Sequence, residues 1–271
     1  MAEQSTHTSA SFAYANADII LRSGDRDAAM DFRVHRLILS LASPFFETTL
    51  SLPQNPAQDT QIPVVNMVES SEVIDALLRY IYPIANPSIE MLETLSQTLS
   101  AAIKYDIDIA VQDLRKRLVH ESFLQSSPLM VFAIALKLDL KEELQIATKQ
   151  VVRTKITDVE PFEELKDIDA YLYARLVRLW SQRCSQAVDI ANKYPKFSCQ
   201  SGGARHNCHT WWHQYITNVC NEVSQRPSTT IISAPLYILN SYLQCEFSRG
   251  LEHAAGMIKK IDDLQDTLDL P

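Results

Sequence analysis

Glycine is scarce: five residues in 271, with no GxGxxG and no GxxxxGKS/T string. Glycine-rich phosphate cradles need those residues so that the backbone can approach a pyrophosphate, so nucleotide binding of that kind is excluded. The one double glycine, in "SGGARH" at 201–206, lacks the lysine such a cradle requires. A basic excess is also missing. The formal net charge is −8, which disfavours a phosphate-binding surface and with it nucleic-acid partners. The longest basic cluster, Arg115-Lys116-Arg117, reads as a solvated helix face. No apolar run approaches the roughly 18 residues of a membrane span, and "MAEQSTHTSASFAYANAD" lacks a basic-then-apolar leader. An intracellular chain, cytoplasmic or nuclear and without a membrane partner, is expected. Cysteine is absent from the first half. Cys184, Cys199, Cys208, Cys220 and Cys245 are odd in number and read as free thiols or metal ligands rather than a disulfide framework. CxxC and HExxH are both absent, so neither a common zinc-finger pairing nor metalloprotease chemistry is supported.

Present instead is a globular composition, 46% apolar and 21% charged, in a length suited to one large domain or two ordinary ones. Residues 1–12 read as a flexible polar lead-in. "ADIILRS" (17–23) and "AMDFRVH" (29–35) read as strands of a hairpin. Val34, Leu37, Ile38 and Leu41 fall at helical spacing and predict one buried face. Pro44 opens a second short helix, "LPQNPAQDTQ" (52–61) is a loop, and "IPVVNM" (62–67) is an edge strand. Ser71 is a candidate cap for a helix burying Val73, Ala76, Leu77, Tyr80 and Ile81. A helix from Ser88 would bury Ile89, Leu92, Leu99 and Ile103. Asp106 and Asp108 would introduce another, burying Val111, Leu114 and Leu118. Beyond "LQSSP" (124–128) only helical patterns occur: a hairpin at about 128–152, a long helix at about 169–194, one around Trp212 to Val223, and two more from "APLYILNSYLQCEFSRG" and "LEHAAGMIKKIDDLQDTL".

The order strand, strand, helix pair, strand, helices, carried by "ADIIL", "FRVHRLILSLASPFF", "VIDALLRYIYP" and "AAIKYDI", resembles the BTB/POZ domain. The family pattern falls on Asp18, Phe32, His35, Arg36, Leu39, Ser43, Phe46, Leu78, Ile81, Tyr82, Ala102 and Tyr105. The phrase "DALLRYIYP" resembles BTB proteins of mushroom-forming fungi. The resemblance implies an α+β fold, a small sheet flanked by helices over 13–125, followed by an all-helical region over 126–271. It also implies a non-enzymatic protein–protein interaction module without a cofactor: a self-associating adaptor or regulatory scaffold. A second reading is a substrate adaptor of a cullin-type ubiquitin ligase. Two departures bear on these readings. "SFAYANA" is too short for the long exchanged helix of strongly dimeric members. In addition, "LSLPQN" (50–55) has no Glu after a hydrophobic residue, as cullin-binding members show.

By the same resemblance Asp18 and Arg36 stand where the family places a buried charged pair near its dimer interface, and they are the partner-binding candidates. His35, Phe32, Phe46 and Tyr82 are structural candidates. No nucleophile with a base and an orienting group accompanies His35, so it reads as a hydrogen-bonding fixture at a helix start. An enzyme of another class would rest on the 199–220 stretch, where Cys199, Cys208, His209 and His213 form a candidate metal set. His209 and His213 share a helix face at i, i+4. The plainer reading is that these thiols are buried hydrophobes and that Trp211 and Trp212 anchor the loop.

Overall fold

The computed structural model describes residues 7–26, 28–52, 62–157, 159–194, 208–230, 232–233 and 247–268. The chain divides into two compact units, Met1–His120 and Glu121–Pro271. The first is α+β and the second, among the described residues, is helical.

In the first unit β2 (Ile19–Arg22) and β3 (Met30–Val34) form the expected hairpin. Their register sets Ile19 opposite Val34 and Leu21 opposite Phe32. All four side chains are buried on one face, as period-two alternation requires. On the other face Arg22 grips Asp31 directly across the pair, Nε to Oδ1 at 2.7 Å and Nη2 to Oδ2 at 2.9 Å. β4 (Val64–Asn66) adds parallel to β2 as the predicted edge strand.

The other edge differs from expectation. Residues 7–12 do not belong to a flexible lead-in: His7–Ala13 form β1, parallel to β3, giving the order β1-β3-β2-β4. The reason is tertiary. Only Ser9 and Phe12 of the strand are buried, so no apolar alternation announces it. Phe12 nonetheless packs among Phe32 and Tyr82 at ring separations of 6.1 and 5.5 Å.

α1 (Arg36–Ala42) and α2 (Pro44–Ser51) follow β3 without a loop. α3 (Ser71–Ile81) buries Val73, Ala76, Leu77 and Tyr80 as its pattern requires. Its cap is Ser70, one residue before the predicted Ser71, whose N–H instead donates to Asp25 Oδ2 at 2.9 Å. Gly24 sits against this entry: its N–H donates to the Glu69 carbonyl at 2.8 Å, and a Cβ there would overlap the Val68 carbonyl.

α4 starts at Leu92, not Ser88. The preceding segment is tied down instead by Arg117, whose Nη1 donates to the Pro87 carbonyl at 3.1 Å. Leu92, Leu95, Leu99 and Ala102 face inward, whereas Ile103 is exposed. Asp106 does not introduce α5 (Asp108–Leu118). It stops α4 (Leu92–Lys104) in the left-handed region at φ 53°, closed by an Ile107 N–H to Ala102 carbonyl bond of 2.9 Å.

The second unit begins with α6 (Glu121–Ser126), α7 (Pro128–Lys137) and α8 (Lys141–Val151). α7 is buried from Leu129 to Ala135, so it reads apolar all round. The tight turn to α8 repeats the Asp106 device: Asp139 lies at φ 52° and Leu140 N–H reaches the Ala135 carbonyl at 2.9 Å. A 3-10 turn at Glu163–Asp167 precedes α9 (Ala170–Lys193), whose cap Asp169 accepts from Leu172 N at 2.8 Å. α10 (Cys208–Val223) and α11 (Phe247–Asp262) complete the described helices. Ala187 and Ala191 of α9, Tyr215 and Val219 of α10, and Ala254 and Met257 of α11 share one core. Of the helix predicted from "APLYILNSYLQCEFSRG" (234–250), residues 234–246 lie outside the described residues, and the remainder forms the start of α11.

Candidate functional site

The start of α1 is built from three directions. His35 is extended (φ −117°), and its side chain does not cap the helix. Its backbone N–H donates to Tyr82 Oη at 2.9 Å, and its Nδ1 lies 3.2 Å from the same oxygen. The helix is capped from a distance: Asp18 Oδ1 accepts the Arg36 backbone N–H at 2.7 Å. The buried ion pair expected of Asp18 and Arg36 therefore does not form. Asp18 is exposed, its carboxylate meets a main-chain donor, and the half-buried Arg36 side chain has no ion-pair partner among the described residues. A carboxylate at a helix N-terminus is stabilised by the unsatisfied N–H groups and by the dipole, which explains why Asp18 needs no guanidinium.

Tyr82 is the hub beneath this helix start. Its ring stacks on Tyr14 at 5.3 Å and meets Phe12 edge-on, while Tyr14 also lies 5.0 Å from the His35 ring. Burial pushes the Tyr82 hydroxyl up to about 12, so it remains a protonated donor and acceptor at neutral pH. His35, Phe32 and Tyr82 are thus brought together. Phe46 belongs to a second cluster, stacked on Tyr105 at 5.4 Å.

That second cluster fixes the α1–α2 corner. Ser43 Oγ accepts from Phe46 N at 3.1 Å, capping α2, and donates to the Tyr105 carbonyl. Tyr105 Oη and Lys104 Nζ both donate to Glu69. Burial alone would raise the Glu69 carboxyl. The bonds from Lys104 and Tyr105 outweigh it and hold the group below its ordinary 4.5. A carboxyl depressed by folding stabilises fully above its unfolded pKa, and the contribution is lost as pH falls through the folded value. The stability gap between wild type and Glu69→Gln, measured by urea unfolding from pH 3 to 7, is expected to be constant near neutrality and to close below about pH 4. A gap independent of pH would count against this assignment.

The face of α1 is the main departure from its pattern. Leu37 is 69% exposed and Leu41 80%, while Leu39 is the buried residue. In a helix of seven residues the fixed ends set the phase: Asp18 at one end and Ser43 at the other turn Leu39 inward. Leu37 and Leu41, one turn apart, are left on a shared outer face, and Phe45 in the first turn of α2 is 39% exposed. Neither this stripe nor the parts played by Tyr14 and Glu69 was recognised in the sequence. The available signal was the shortness of a helix held at both ends by polar residues.

The cysteine–histidine set is only partly in view. Cys199 lies outside the described residues, as do the side chains of Cys208 and His209. His213 is exposed on α10, and Cys220 lies with its Sγ 3.5 Å from Asn192 Oδ1. Among the described residues no three His, Cys, Asp or Glu side chains cluster to hold a metal ion. No helix among them is long and apolar enough to cross a membrane.

A small four-stranded sheet flanked by helices, with an apolar helix face left exposed, is the architecture of the first unit. Residues 11–122 match the BTB/POZ domain family, and the chain carries a BTB/POZ domain there, a type that mediates protein binding and is typically non-catalytic. No curated protein matches the chain.

Proposed function

We propose that the chain is a self-associating adaptor or regulatory scaffold of the kind its "DALLRYIYP" phrase resembles in mushroom-forming fungi, with 13–125 and 126–271 acting as separate domains. The supporting observation is the Leu37–Leu41–Phe45 stripe, beside Arg36, whose guanidinium has no ion-pair partner among the described residues. Burying two large leucines that the fold leaves in water stabilises a contact by roughly 25 cal/mol per Å² removed. A two-fold contact uses each residue twice. Asp18 and Arg36 stand at the rim of that face as partner-binding residues.

Sedimentation equilibrium of the full chain is expected to show a dimer with a dissociation constant in the micromolar range. Leu41→Asp enters such an interface twice and is expected to weaken it at least about 10-fold without lowering the melting temperature. A chain that remains monomeric at about 100 µM would remove the self-association reading. A monomer that captures a cullin scaffold would replace it with the ligase-adaptor reading.

A further inference from the structure

Within the helical unit a cavity of about 620 Å³ opens where the end of α6, the start of α7, the end of α8 and the segment after α10 meet. That volume is in the range of small-ligand sites. Its lining reverses the acidic balance of the whole chain: Arg153, Lys155 and Arg226 face Glu160 as the one carboxylate. Among the described residues, the hydrogen bond made by Arg153 runs from Nη2 to Asp266 Oδ2 at 2.9 Å, and its Nε is buried without a partner. Arg226 is exposed and has no ion-pair partner among the described residues. Asp266 answers Arg153, so the positive charge left on the cavity wall without an ion pair among the described residues is that of Arg226, and a bound anion would offset it.

A separate observation points the same way. Ser127 occupies the cap position of the ten-residue α7 yet makes no side-chain cap bond. A serine at that position ordinarily satisfies an N–H of the first turn. Here Ser127 lines the cavity, at the positive end of the helix. Ile156 and Phe162 supply apolar wall.

We propose that this cavity binds a small organic anion, a phosphate monoester or carboxylate on an apolar body. Arg226 would meet the charged group, Ser127 would donate to it, and the apolar wall would cover the body. The site is independent of the α1 face and stands or falls separately from it.

The test is calorimetric titration of the full chain with phenyl phosphate at low salt. Binding tighter than about 1 mM is expected. Arg226→Met is expected to weaken it at least about 5-fold with the melting temperature unchanged, and Ser127→Ala about 3-fold. A phosphoserine peptide binding at least 10-fold tighter than phenyl phosphate supports the proposal with a partner chain as the source. Equal or weaker peptide binding supports it with a free metabolite as the source. No heat with 10 mM phenyl phosphate, or binding untouched by Arg226→Met, overturns the site. Inorganic phosphate binding as tightly as phenyl phosphate overturns the organic-anion assignment.

Discussion

Arg183→Met is expected to cost the helical unit about 3–5 kcal/mol, lowering its melting temperature by about 10 °C. Arg183 lies in the middle of α9 and is 1% exposed. It has no carboxylate in direct contact among the described residues. Its guanidinium is held by backbone oxygens: Nη2 reaches the Ile261 carbonyl at 3.0 Å, Nη1 the Leu264 carbonyl, and Nε the Pro227 carbonyl at 3.3 Å. These carbonyls lie at the end of α11 and just after α10, where helix geometry leaves acceptors short of donors; Ile261 also accepts the Leu264 N–H at 3.3 Å. The end of α11 also carries partial negative charge, which favours a cation. Burial lowers the Arg183 pKa, with a smaller push from Arg153, yet an arginine remains charged at any ordinary pH. Methionine fills much of the space but takes the donor from the Pro227 and Leu264 carbonyls, each costing about 1–3 kcal/mol when left unmade. Arg183→Lys has one nitrogen where three are used, and should fall between wild type and Met. Urea unfolding of the full chain, with helicity as the signal, reads the effect. A Met variant within about 1 kcal/mol of wild type would show that the carbonyls find other donors.

Tyr82→Ala is expected to cost about 3–5 kcal/mol, and Tyr82→Phe about 1–2 kcal/mol. The alanine variant removes a ring that packs on Phe12 and Tyr14 and leaves a cavity under β1. The phenylalanine variant keeps the ring and removes only the oxygen that accepts the His35 N–H. The difference between the two separates packing from hydrogen bonding. Equilibrium unfolding of both measures it, and a Phe variant as stable as wild type would show that His35 N–H has another acceptor.

The elements legible from sequence are those whose signal is local. The β2–β3 hairpin shows clean alternation, α3 has an amphipathic face, and α9 has Asp169 as its cap. The failures share a different cause. β1 reads "HTSASFA", and it is a strand because β3 lies alongside it, not because of its own pattern. The face of α1 is set by Asp18 and Ser43, residues outside the helix. Asp106 looks like a helix starter, yet it ends a helix, as Asp139 does, in a conformation that usually goes to glycine. With five glycines in the chain, aspartate fills these positions. At the candidate site, Asp18 and Arg36 were identified by family resemblance, which carried their positions but not their geometry. A pattern of residue types does not distinguish a carboxylate bonded to a guanidinium from one bonded to the next main-chain N–H.

Asp18 bonds to the backbone of residue 36, so any residue with an N–H satisfies it. The fold therefore constrains position 18 by side chain and position 36 only against proline. A substitution at position 36 other than proline leaves that bond in place, whereas replacing the carboxylate at position 18 removes it.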